Sequence, residues 1–192
     1  MRAAAYIVGP MDGSGAKLAE TARQLDFSAV LPYAGIAHAE HQTTLTPVCY
    51  FLFAAVPSVA TLRGVAEAIR FCPNRRVRFS PLMYFSETPS VETITSCINM
   101  GFDDIVTMPF TPDRVMERVN RQVGHNLIYY ETSGYFGPDR RDRVTGAKRA
   151  AESRLGGQFR RIEIVRNLQT GTNVVRDDLY MQPGAESSTA YL

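Results

Sequence analysis

Val48 to Val56 reads VCYFLFAAV, nine apolar residues in a row and rich in β-formers. A half-exposed strand would alternate apolar with polar residues. An unbroken run of this length suits a strand buried on both faces, as in a parallel sheet. The surrounding chain fits that idea. Ala3 to Val8 is a second apolar run, ended by Gly9-Pro10, and Ser14 can cap a helix in which Leu18, Ala22 and Leu25 fall at helical spacing. Ala29 to Leu31 suggests a short strand and Ile36 to His41 a weak helix. Val59, Leu62, Val65, Ala66 and Ile69 make a helical stripe behind a Ser58 cap. Pro81 to Phe85 is the next apolar run, followed by a stripe of Val91, Ile94, Cys97 and Ile98 that Gly101 can end in the left-handed conformation. Ile105 to Met108 is a fifth strand. Thr111-Pro112 then supplies a cap and a first-turn proline ahead of Met116, Val119 and Val123. Parallel neighbours need a crossover, usually a helix, so five strand–helix repeats predict an α/β, doubly wound parallel sheet over residues 1–123.

From Gly124 the pattern changes, and residues 124–192 read as a C-terminal extension. His125 to Tyr130 is apolar and aromatic, ETSGYFGPDRRDR reads as loop, and Lys148 to Leu155 suggests a short polar helix. Phe159 to Val165 and Thr172 to Val175 predict a β-hairpin within 159–177, with a loose terminus from residue 178. Charge separates with these regions. The whole chain is only +2, but residues 138–166 carry nine basic and four acidic groups. Cys49, Cys72 and Cys97 are odd in number and widely spaced, which suits neither a disulfide framework nor a zinc site but buried thiols in a reducing compartment. No apolar stretch reaches the roughly 18 residues that span a bilayer, and the N-terminus is broken too early for a signal peptide. The expectation is a cytoplasmic protein with no membrane partner.

Pro81-Leu-Met-Tyr-Phe-Ser86-Glu87, followed by Met100-Gly-Phe-Asp-Asp104-Ile-Val-Thr-Met108-Pro109-Phe110, resembles the second half of a bacterial response-regulator receiver domain. Ser86, Gly101, Asp103, Asp104, Pro109 and Phe110 stand in matching places. The resemblance implies a flavodoxin-like sheet of order 2-1-3-4-5. It also implies what a working receiver needs, and most of that is missing. Gly9 and Pro10 occupy the positions of the acidic pair that would hold Mg²⁺, with Asp12 a lone acid nearby. Phe53 replaces the phosphate-accepting aspartate, Met108 the lysine and Ile105 the switch aromatic, so only the hydroxyl, Ser86, survives. A degenerate, phosphorylation-independent pseudo-receiver follows, with no metal, no cofactor and no enzymatic activity expected.

The other motifs are weak. Gly9 to Lys17 resembles a phosphate-cradling loop but fails the spacing, His38 with His41 lacks further ligands, and Asp103-Asp104 reads as turn chemistry. The resemblance implies a partner surface on the last two helices and fifth strand, including Ile105, Thr107, Arg114, Arg118 and Arg121. Tyr135, Phe136, Arg140, Arg141 and Arg143 suit a second protein interface, because aromatics and arginine favour such surfaces. They would equally fold back to cover the domain, or contact nucleic acid. The expected partner is another signalling protein or a second copy of this chain. Nucleic-acid binding through residues 138–166 and phosphorylation at an atypical acceptor such as Asp12 are the alternatives.

Overall fold

The computed structural model describes residues 1–11, 13–88, 90–109, 111–139 and 158–181. Five parallel strands form the first sheet: β1 (Ala3–Val8), β2 (Ala29–Pro32), β3 (Val48–Phe53), β4 (Leu82–Ser86) and β5 (Asp104–Thr107), in the order β2-β1-β3-β4-β5. That is the predicted order. Register runs from Ala3 opposite Val48 to Val8 opposite Phe53, so β1 and β3 lie side by side over their full length at the centre.

All six residues of β3 are buried. The period of two sends Cys49, Phe51 and Phe53 to one face and Val48, Tyr50 and Leu52 to the other. The first face packs under α2 (Ile36–Leu45), α3 (Arg63–Arg70) and α5 (Val91–Asn99), and the second under α1 (Ser14–Gln24) and α6 (Pro112–Asn120). Gly101 has φ +77° and ends α5 as expected, and Thr111 caps α6 at the Arg114 amide ahead of Pro112.

Several local expectations are corrected. Ser14 does not cap α1. It is the first helical residue, Gly13 holds the cap position, and the Ser14 hydroxyl donates across to Ala55 O at 2.9 Å. Ser58 makes no side-chain cap either, and the stripe behind it opens as a 3₁₀ turn (Val59–Leu62) before α3. A short helix not foreseen, α4 (Arg75–Arg78), follows α3 and is capped by Asn74 at the Arg76 amide.

The extension forms a second, antiparallel sheet of four strands. These are β6 (Asn126–Glu131), β7 (Phe136–Pro138), β8 (Phe159–Asn167) and β9 (Gly171–Tyr180), ordered β7-β6-β8-β9. The hairpin is there but longer than predicted: β9 runs through Tyr180, correcting the loose terminus at 178. The segment read wholly as loop contributes β7, because Phe136 pairs opposite Glu131. β7 contains a glycine and a proline and holds its form only by pairing with β6 across the turn at 132–135, which strand propensity does not reveal. The helix expected over 148–155 lies outside the described residues. No described helix is long and apolar enough to cross a membrane.

Candidate functional site

In an open α/β sheet, ligand and reaction chemistry gather at the carboxyl ends of the strands. Here that edge is formed by Gly9 and Pro10 after β1, Phe53 ending β3, Ser86 ending β4 and Met108 after β5. The fold therefore brings together all five residues that the sequence assigned to a degenerate phosphorylation site. Phe53 is 0% exposed, with the Phe102 ring edge-on at 4.7 Å. The same apolar cluster includes Val8 and Tyr84. Met108 is 50% exposed and precedes a cis Met108–Pro109 peptide. Ser86 is buried. Two adjoining depressions of about 390 and 480 Å³ open on this edge, sharing Ser14, Ala55 and Glu87. Lys17 and Met108 line the first, Ser86 and Thr88 the second.

No group of three or more His, Cys, Asp or Glu that could hold a metal occurs among the described residues. Neither Phe53 nor Met108 can accept a phosphoryl group or ligate Mg²⁺, since both lack a hard oxygen donor. In the Gly9–Lys17 segment a Cβ on Gly15 would sit 1.9 Å from Pro10 O, so Pro10 packs closely against the first turn of α1. His38 stacks edge-on against Tyr6, whose hydroxyl donates to its carbonyl, and Glu40 faces Cys72 at 3.5 Å. Burial pushes the Cys49 thiol up to about 12, which makes it an inert core group.

The expected partner face is divided. Arg114 is exposed and Arg121 pairs with its helical neighbour Glu117, while Ile105 and Thr107 are half-buried on the outer strand. Arg118 is committed elsewhere: it grips Asp104 with two nitrogens, Nε at 2.6 Å, and that carboxylate is 4% exposed. In the extension, Tyr135 is half-buried and Phe136 is fully buried among Phe79, Tyr129 and the Arg78 guanidinium, which lies 3.9 Å above its ring. Phe136 therefore covers the five-stranded unit rather than facing outward. Arg140, Arg141 and Arg143 lie outside the described residues. Of the basic segment, the described arginines are engaged: Arg160 with Glu131 and Asp177, Arg161 with Glu163, and Arg166 inside the protein at 0% exposure.

Sequence reasoning missed a second site at the opposite, amino end of the sheet. Asp103, read as a turn residue, sits between two buried guanidiniums: Arg70 Nη2 at 2.6 Å on Oδ2 and Arg166 Nη2 at 2.8 Å on Oδ1. The Leu82 amide and the Tyr129 hydroxyl also donate to this carboxylate. Burial alone would push the Asp103 carboxyl up, but Arg166, Arg70 and the donated hydrogen bonds outweigh it and hold it at about 2. Burial alone would likewise lower Arg166, yet the facing carboxylate keeps it above its ordinary value. One signal was present in the sequence: in β8, Arg166 follows Ile162 and Ile164 at intervals of two, on the face that turns inward.

No family model and no curated protein matches the chain. Solved structures do. A CheY-like response regulator receiver domain protein from Methanospirillum hungatei is 18% identical, over 62% of this chain and 91% of that one, with a TM-score of 0.43. The receiver domain of a sensor histidine kinase from Pseudomonas aeruginosa, solved with magnesium in its active-site cleft, is 16% identical over 62% and 95%, TM-score 0.47. A candidate pilus assembly protein from Burkholderia thailandensis is 15% identical over 64% and 98%, TM-score 0.47. The five-stranded unit of this chain has the flavodoxin-like, receiver-like fold, and it is the strand order and parallel register that establish it.

Proposed function

We propose that this chain is a non-catalytic pseudo-receiver, a cytoplasmic adaptor of bacterial signalling that binds another protein or a second copy of itself without being phosphorylated. The observation that carries this reading is Phe53, fully buried against Phe102 where a receiver would present its acceptor carboxylate. Gly9, Pro10 and Met108 around it supply no metal ligand and no cation. With acceptor, metal site and clamp replaced by apolar groups, binding is the property left to the domain. The candidate contact surface is Ile105, Thr107, Arg114 and Arg121, which present apolar and cationic groups together.

Two measurements test it. Incubation with a small-molecule phosphodonor and Mg²⁺ should leave the intact mass unchanged; a gain of one phosphoryl group, at Asp12 or elsewhere, would overturn the reading. The double variant Arg114→Glu, Arg121→Glu should lose a partner or self-association that the native chain retains, while keeping its thermal midpoint. Undiminished binding removes that face. Arg118 is left out of the variant because its loss would expose the buried Asp104 carboxylate.

A further inference from the structure

The amino end of the parallel sheet carries a cage built for a guanidinium that the five-stranded unit does not own. Arg70, at 1% exposure, is satisfied from within that unit: it donates to Gly101 O at 2.8 Å, to Arg78 O and Ser80 O at 2.9 Å each, and to Asp103. A second set of acceptors lies alongside, comprising Phe79 O, Gln122 O and Asp103 Oδ1. All three are filled by Arg166 of β8, at 2.7, 3.1 and 2.8 Å. Tyr129 of β6 closes the cluster, taking a hydrogen bond from Arg166 and giving one to Asp103. One carboxylate thus stands between two buried cations, and carbonyl oxygens compensate the remaining positive charge. A buried polar network of this kind stabilises only when complete, because each member left alone is an unsatisfied group in a low dielectric.

The backbone follows the same floor. Gly124 N donates to Arg166 O at 2.9 Å, Leu168 at the turn of the hairpin joins the core beneath α1 and α6, and Phe136 O packs so closely on Gly101 that a Cβ there would meet it at 2.2 Å. Phe79 presents its ring edge-on to both Tyr129 and Phe136.

We propose that the two sheets form one cooperative body with Arg166 as its latch, so that the antiparallel sheet completes the receiver-like unit instead of acting as a separately moving output module. A change at the carboxyl end of the parallel sheet is then felt in both sheets as a change in global stability, including the far hairpin.

Native-state hydrogen exchange on the full chain tests this, reading the slowest amides of β3 and of β8. Ile7→Val is a change within the five-stranded unit, near the carboxyl end of β1, and Ile164→Val one within β8; each lowers protection about three- to tenfold in its own sheet. In one cooperative body each variant lowers both sets of amides by the same factor. If each lowers only its own sheet, the proposal is overturned. In an Arg166→Met background the effects should separate, with Ile164→Val confined to β8. Should that variant not fold, Tyr129→Phe removes only the bridging hydroxyl and should weaken the coupling. Coupling that persists unchanged through these latch variants would overturn the role given to Arg166 and its cluster.

Discussion

Returning a carboxylate to the end of β3 is the most direct challenge to the pseudo-receiver reading. In Phe53→Asp, a ring at 0% exposure would be exchanged for an acid facing Val8, Tyr84 and Phe102. Losing the burial of a phenylalanine, with the cavity left behind, costs about 3–5 kcal/mol. An unpaired buried carboxylate adds a further cost of several kcal/mol unless it takes up a proton. Domains of ordinary stability hold about 5–15 kcal/mol, so the variant should sit near or below its unfolding threshold at neutral pH. The pH dependence follows from the direction of the shift. Burial raises the folded pKa of the introduced acid above its unfolded value of about 4. The charge-related deficit is therefore smallest below that value and grows as pH rises towards the folded pKa. Urea midpoints measured at pH 4 and pH 8 should show the gap between Phe53→Asp and the native chain widening at the higher pH. Phe53→Leu should show a smaller, pH-independent loss. A Phe53→Asp protein with the native midpoint at pH 8, able to take Mg²⁺ and a phosphoryl group, would falsify the claim that this crevice has been rebuilt as core.

Two further outcomes follow from the amino-end cluster. Asp103 is held near a pKa of about 2, below its unfolded value, so its contribution is fully present above about pH 4 and is lost as pH falls towards 2; the loss is about 2 kcal/mol, and Asp103→Asn should abolish that acid limb of the stability curve. Gly101→Ala should lower the thermal midpoint by several degrees. Its φ of +77° costs a side chain about 1–2 kcal/mol, and the added Cβ would strike Phe136 O; a native-like melting curve would show that β7 does not press on this turn.

Much of the parallel sheet is legible in the chain itself. The run from Val48 to Phe53, shorter than the apolar stretch to Val56, can satisfy its apolar side chains only between two helical layers, and the caps at Thr111 and Gly101 report local backbone geometry that needs no distant partner. The identities of Gly9, Pro10, Phe53 and Met108 are likewise legible without coordinates, because a side chain's chemistry is fixed by its residue type. The antiparallel sheet is another matter. Phe136–Pro138 becomes a strand only by pairing with Tyr129 to Glu131, and Phe159–Asn167 lies between its hairpin neighbour β9 and β6, about 30 to 40 residues earlier in the chain. Asp103 and Arg166 give the clearest contrast. One reads as a turn residue and the other as one cation among nine in a basic segment. Chain distance hides what folding does with them, since 63 residues separate two groups that end 2.8 Å apart. The sequence alone determined which residue types stand at Gly9, Pro10, Phe53 and Met108, because a residue's chemistry is written in the chain. Only the tertiary structure decided where the second charged centre lies, because a buried ion pair is defined by the water it excludes and the partners that surround it.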